Sequence, residues 1–161
     1  MERVPVLGEH GTDSLSAYTH LRVLDLSHNR LGRLPAGLPR SLWQLHVAAN
    51  RLQVLDKEDT VHQWNLRALD LSGNRLFWTL PTNLPAHLQA VDLSHNLLVK
   101  VLPGSLDRLP RLSYLYLQAN RLSSVPPAAL DKLPIASLSL NPERSSSAPV
   151  FRSHRRLKCP S

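Results

Sequence analysis

"LRVLDLSHNRL", Leu21–Leu31, places leucine at its first, fourth, sixth and eleventh positions and asparagine at its ninth. The same frame, L-x-x-L-x-L-x-x-N-x-L, returns as "LWQLHVAANRL" from Leu42 and "LRALDLSGNRL" from Leu66. It returns again as "LQAVDLSHNLL" from Leu88 and "LSYLYLQANRL" from Leu112, and a shorter copy, "IASLSLNP", starts at Ile135. Successive starts lie 21, 24, 22, 24 and 23 residues apart. Self-similarity at such a period marks a solenoid, in which no single coil can bury its apolar face alone.

The frame dictates local structure. Its L-x-L centre has the period of a strand, so both leucines point inward and the residue between them points outward. Strands from successive coils then stack in parallel, about 4.8 Å apart. Asn29, Asn50, Asn74, Asn96 and Asn120 fall where the chain leaves each strand. Their amides can pair backbone groups that the turn would otherwise bury. They are predicted to stack as a structural ladder, with no part in binding.

The return segments "LPAGLPRS", "LPTNLPAH", "LPGSLDRLPR" and "VPPAALDKLP" carry prolines that prevent a long helix. Leu38, Leu84, Leu109 and Leu133 are predicted to point from them into the core. One return is unlike the others. "LQVLDKEDTVHQWNL", Leu52–Leu66, is charged and carries a tryptophan. Here Val54 and Leu55 are expected to close the preceding turn. Lys57, Glu58 and Asp59 belong at a solvated outer bend, and Val61 and Trp64 are the residues expected to re-enter the core.

The predicted fold is an α/β-type leucine-rich repeat solenoid with short parallel strands on its concave face. Its convex face is predicted to be loops or short turns with little α-helix. About six repeats occupy residues 21–142, after a poorly ordered segment 1–20 and before a basic, disordered tail 143–161.

Hydrophobic residues make up 42% of the 161-residue chain and aromatics only 5%, so an aliphatic core is implied. The formal charge of +7 is uneven. Residues 1–140 hold 14 Lys/Arg against 11 Asp/Glu, and residues 141–161 hold 5 against 1. A basic tail on a nearly balanced body argues against a nucleic-acid partner. Cys159 is the single cysteine, so no disulfide forms within the chain. No apolar run reaches the roughly 18 residues of a membrane span, and "MERVPVLGEHGTDS" has no signal-peptide core.

Catalysis finds no support in the motifs. The eight histidines are scattered, no H-E-x-x-H or C-x-x-C occurs, and the six glycines form no phosphate loop. No serine lies in a nucleophile-elbow context. The chain reads as a non-enzyme without cofactor or metal.

Solenoids bind partners on the strand face, whose outward positions form an uninterrupted surface. Position five of the frame reads Asp25, His46, Asp70, Asp92, Tyr116 and Ser139; position three reads Val23, Gln44, Ala68, Ala90, Tyr114 and Ser137. Position eight contributes His28 and His95, and Gln118 precedes the last turn. The candidate protein-binding residues are therefore Asp25, His46, Asp70, Asp92, His95, Tyr114, Tyr116 and Gln118. Asp92 beside Tyr116 is the expected centre, because tyrosines with exposed neighbours anchor interfaces.

Several stretches exceed what the frame demands. "LPRSLWQLHVAANRLQVLDKEDTVHQWNLRALDLSGN" and "WTLPTNLPAHLQAVDLSHNLLVKVLPGSL" resemble the oligodendrocyte-myelin glycoprotein family over about residues 14–134. The resemblance implies a cell-surface glycoprotein of myelin and neurons, held by a glycolipid anchor. It implies a module that mediates adhesion or restrains neurite outgrowth by binding protein receptors on axons, of the Nogo-receptor kind. It places the protein on the extracellular side of the plasma membrane.

Departures from that family are equally specific. Residues 1–20 lack its cysteine-bearing cap, a repeat is absent after Leu76, and the C-terminal cap, stalk, anchor signal and N-x-S/T sites are missing. A divergent or truncated relative is implied. Two other readings follow from these departures: an intracellular repeat scaffold or regulatory subunit in the cytoplasm, and a fragment without its own activity. Leu21, Leu24 and Leu26 at one end, and Leu138 and Leu140 at the other, lack a recognisable cap. Self-association through uncapped ends is therefore expected.

Overall fold

The computed structural model describes residues 15–79, 81–131, 133–134 and 137–139, the last three by backbone alone. The expectations for residues 1–14 and for the tail 143–161 lie outside the described residues. Six frame copies give six three-residue strands: β1 (Val23–Asp25), β2 (Gln44–His46), β3 (Ala68–Asp70), β5 (Ala90–Asp92), β7 (Tyr114–Tyr116) and β8 (Ser137–Ser139). They form one parallel sheet in that order. Register holds without slippage: Leu24 pairs with Leu45, Leu45 with Leu69, Leu69 with Val91, and Val91 with Leu115. These central residues are buried, at 3% exposure or less, while their neighbours on the strand face outward.

The core is one continuous aliphatic column with Leu42, Val47, Leu52, Leu71, Leu88, Leu93, Leu98, Leu106, Leu112 and Leu117 at no measurable exposure. Leu38, Leu84 and Leu109 are buried in it from the return side, and Leu133 packs against it partly buried. Among the described residues helix is limited to one turn, α1 (Lys57–Thr60), and two short 3-10 turns at Leu15–Ala17 and Pro127–Ala129. A second, two-stranded parallel sheet lies on the return side, β4 (Phe77–Thr79) with β6 (Leu97–Lys100). Its Phe77 and Trp78 are exposed, Trp78 at a positive φ of 75°, with the Lys100 ammonium 5.5 Å from the Trp78 ring centre.

The asparagines form the predicted ladder. Each of Asn50, Asn74, Asn96 and Asn120 donates to a carbonyl of the preceding coil: Leu26, Val47, Leu71 and Leu93, at 2.8–2.9 Å. Each also donates within its own coil, to Val47, Leu71, Leu93 and Leu117. Each Oδ1 accepts a backbone N–H of the preceding coil, from Leu31, Leu52, Leu76 and Leu98. All four are buried. Asn29, in the first coil, is exposed and donates only within its own coil, to Leu26 and Ser27.

The residue before each ladder asparagine has left-handed backbone: His28, Ala49, Gly73, His95 and Ala119, all at φ between 53° and 65°. This turn lets the chain leave the strand and drop its asparagine inward. Only Gly73 adopts it without a Cβ penalty. The ladder and the core therefore hold strain at the other four turns.

Two expectations are corrected. Val61 and Trp64 do not re-enter the core; they are 40% and 63% exposed, and Gln63 is buried instead. The reason is offset from the next frame leucine. Trp64 stands two residues before Leu66, as Arg40, Ala86 and Pro110 stand before theirs, and all three are exposed. Gln63 stands three before, the offset of the buried Leu109. The Gln63 amide donates to the Leu38 carbonyl at 3.3 Å. The insert is further tied by the Asp56 N–H on Asp59 Oδ2 at 2.8 Å, by Thr60 Oγ on the Asn83 carbonyl, and by Asn65 on the Arg40 carbonyl. Likewise Val54 is exposed while Leu55 is buried.

The first coil is the second correction. Leu24 and Leu26, expected to lie bare, are 1% and 6% exposed. Leu15, within the segment read as poorly ordered, is buried in the same cluster. Ser41 Oγ ties this entry down by donating to the Tyr18 and Leu21 carbonyls. Leu24 and Leu26 are thus covered, while Tyr18 and Val23 at this end stay exposed; the side chains of Leu138 and Leu140 at the other end lie outside the described residues.

Asn74→Ala and Asn96→Ala are expected to lower unfolding free energy by about 2–3 kcal/mol, since each strands buried backbone groups in two coils. Asn29→Ala is expected to cost under about 1 kcal/mol. Urea unfolding of the three variants measures this; equal losses would contradict the ladder's inter-coil role.

Candidate strand-face site

In-register stacking converts frame positions into rows that run along the solenoid. One row holds Asp25, His46, Asp70, Asp92 and Tyr116, each the direct partner of the next. The adjacent row holds Val23, Gln44, Ala68, Ala90 and Tyr114. Six of the eight candidate residues lie in these rows. Tyr114 and Tyr116 flank Ala90 and Asp92 directly and are half-buried. Ala68 and Ala90 leave a low shelf on which another backbone could approach. His95 stands apart, exposed at a left-handed turn with its N–H on the Gln118 carbonyl. Gln118 is half-buried, and its Oε1 finds no partner among the described residues.

The aspartates have a local task that the charge pattern hid. Asp25 Oδ1 accepts the Ser27 N–H at 2.9 Å, Asp70 Oδ1 that of Ser72 at 3.0 Å, and Asp92 Oδ1 that of Ser94 at 2.9 Å. Asp70 Oδ1 also accepts the Ser72 hydroxyl at 2.7 Å. Each carboxylate thereby closes the turn after its strand, an Asx turn. The signal was present as the thrice-repeated Asp-Leu-Ser.

His46 lies between Asp25 and Asp70, with its Nδ1 3.8 Å from Asp70 Oδ2. At that separation the pair is an ionic contact rather than a hydrogen bond. Asp70 raises the His46 pKa above its ordinary value, against the opposing effect of burial. Burial pushes Asp70 up, but His46 and Ser72 outweigh it and hold its carboxyl below the usual range. The Ser27 N–H holds Asp25 low. Asp92 goes the other way: burial raises it, and Asp70 beside it adds to the rise, despite Ser94. The row therefore carries an imidazole between two carboxyl groups at one end and a partly buried carboxyl against tyrosine at the other.

A second arrangement was missed from sequence. The Arg22 and Arg67 guanidinium carbons each lie 4.8 Å from the centre of the Trp43 ring. These residues share the second frame position of three successive coils. Their main chains are laddered, Trp43 N–H to the Arg22 carbonyl and Arg67 N–H to the Trp43 carbonyl. Trp43 remains 41% exposed. The row of Arg, Trp and Arg could have been found by reading the second frame position down the repeats.

A repeating frame, a parallel one-residue-register sheet and a buried asparagine ladder describe one architecture. The Leucine rich repeat family pattern matches residues 19–76 and 86–141 of this chain. The chain belongs to the leucine-rich repeat family. Within it, the chain is 44% identical over 142 residues to the human (Homo sapiens) oligodendrocyte-myelin glycoprotein, covering 73% of this chain and 32% of that protein. The mouse (Mus musculus) oligodendrocyte-myelin glycoprotein is 46% identical over 133 residues, covering 67% and 30%. Mouse podocan-like protein 1 is 45% identical over 111 residues, covering 66% and 19%. The chain spans about a third of the length of the myelin glycoproteins it matches. It is thus a leucine-rich repeat protein similar to the myelin glycoprotein, as the non-consensus stretches implied. Among the described residues no group of histidine, cysteine or carboxylate side chains could hold a metal ion, and no helix is long and apolar enough to cross a membrane.

The His46 contribution has a defined sign. Its folded pKa lies above the unfolded value of 6.5, so its stabilisation is complete below pH 6.5 and is lost as pH rises through the folded pKa. The stability gap between the parent chain and His46→Gln is expected to be larger at about pH 5.5 than at about pH 8.5. Asp70→Asn is expected to return the His46 titration, followed by NMR, toward 6.5. A pH-independent gap would exclude the charged pair.

Proposed function

We propose that this chain is a non-catalytic protein-binding module whose strand face receives a protein partner. The observation that carries the reading is the patch of Asp92, Tyr114 and Tyr116 beside the Ala68–Ala90 shelf. Half-buried tyrosines give large contact area at little entropic cost. A desolvated carboxylate next to them supplies direction, because its charge is satisfied better by a partner's cation than by its present surroundings. Similarity to the myelin glycoprotein supports a finer reading. The module is displayed on the extracellular side of the plasma membrane and binds a receptor on axons of the Nogo-receptor kind, in adhesion or in restraint of outgrowth.

The test is binding of the purified chain to cells bearing Nogo-type receptors. Asp92→Ala with Tyr116→Ala is expected to weaken binding about tenfold or more, as for residues at the centre of an interface. Trp64→Ala, on the return side, is expected to leave it unchanged. Undiminished binding of the folded double variant would remove this face from the interaction.

A further inference from the structure

We infer that Arg22, Trp43 and Arg67 form a preorganised clamp for the acidic edge of an extended peptide segment of a protein partner. The geometry begins with stacking. Both guanidinium groups lie against the one indole, 4.8 Å from its centre. An arginine stacked on an aromatic ring spends its face, while its in-plane N–H donors stay available at the edge. Arg22 uses one of them on the Ser41 carbonyl at 3.1 Å. Neither arginine has an ion-pair partner among the described residues. Two like charges are therefore held no more than about 10 Å apart by a ring they share, with no acidic side chain paired to either among the described residues. Their positions are set before any ligand arrives, which lowers the ordering cost of binding.

Charge complementarity names the occupant. Carboxylates match the arginine fork. In an extended peptide, residues i and i+2 point the same way and lie about 6.6–6.8 Å apart, so two glutamates on one edge can reach both guanidiniums. The shelf of Val23, Gln44 and Ala68 lies between the clamp and the row of Asp25, His46 and Asp70. A segment running along that shelf turns one edge to the arginines and the other to the aspartates. The fitting segment is acidic on the first edge and basic on the second. A uniformly anionic polymer, such as a sulfated glycan, a nucleic acid or an anionic membrane, meets the aspartate row two positions away and is repelled by it.

This inference takes its class of partner from the protein-binding reading above, yet its test needs no receptor. The 15N-labelled full chain is titrated with a capped eight-residue peptide of alternating Glu and Lys. The indole N–H signals of Trp43, Trp64 and Trp78 are assigned by single Trp→Phe variants. The Trp43 signal is expected to move, with Trp64 and Trp78 still. Arg22→Gln and Arg67→Gln are each expected to weaken binding roughly threefold, as for exposed charge pairs. Both side chains are exposed, and undisturbed Trp64 and Trp78 signals verify the fold of each variant. The matching Gln–Lys peptide is expected to leave the Trp43 signal in place. Equal binding of the Gln–Lys peptide, unchanged binding by a variant carrying both Arg22→Gln and Arg67→Gln, or tighter binding of heparin, oligonucleotide or anionic vesicles would overturn the clamp. Failure of the receptor face alone, with this titration intact, would leave the clamp standing, and the converse result would leave the Asp92–Tyr116 face standing.

Discussion

Everything in this molecule depends on how buried backbone is satisfied where each coil leaves its strand. A solenoid turns sharply inward at that point, and a buried unpaired amide or carbonyl costs about 1–3 kcal/mol. Asn50, Asn74, Asn96 and Asn120 resolve the problem across coils, by donating to the coil before and accepting from it. Because each amide spans two coils, it also fixes their relative height. Strand register, and hence every row on the face, follows from that height.

The face inherits its chemistry from this regularity. Asp25, Asp70 and Asp92 carry charge outward and at the same time close their own turns through the serine two residues on. A structural task and an exposed charge coincide in one side chain. The consequence is visible in the opposite pKa directions of Asp70 and Asp92, which occupy adjacent strands. His46 and Ser72 hold Asp70 low, whereas Asp92, with Tyr116 on its other side, is raised by burial despite Ser94 and His95. Where the repeat is broken by substitution, at His46 and at the tyrosines, the surface acquires features on which recognition can depend. The Arg22, Trp43 and Arg67 cluster arises the same way, from one aromatic residue between two arginines at the second frame position.

Much of this was legible without coordinates. The eleven-residue frame placed the strands, the inward leucines and the asparagine ladder, because a repeated coil imposes the same environment on each copy. The return segments were legible where they carried leucine three or four residues before the next frame, as at Leu109 and Leu38. They were misread at Val61 and Trp64, where hydrophobicity was taken as evidence of burial. Offset outranks side-chain character there. Gln63 takes the inward position three residues before the next frame, where its amide donates to the Leu38 carbonyl. At the first coil no cap is legible in the sequence, yet Leu15 is buried beside Leu24 and Leu26 in one cluster.

The sequence by itself determined the period, the inward and outward sides of each strand and the buried asparagines, because these depend on local spacing repeated many times. Only the tertiary structure decided which outward groups engage one another. Aspartates bond to serines, an imidazole settles against one of two neighbouring carboxylates, and two guanidiniums close on one indole. Such choices turn on rotamers and on separations of an ångström or so between coils, set by ladder bonds and packing that no single coil contains.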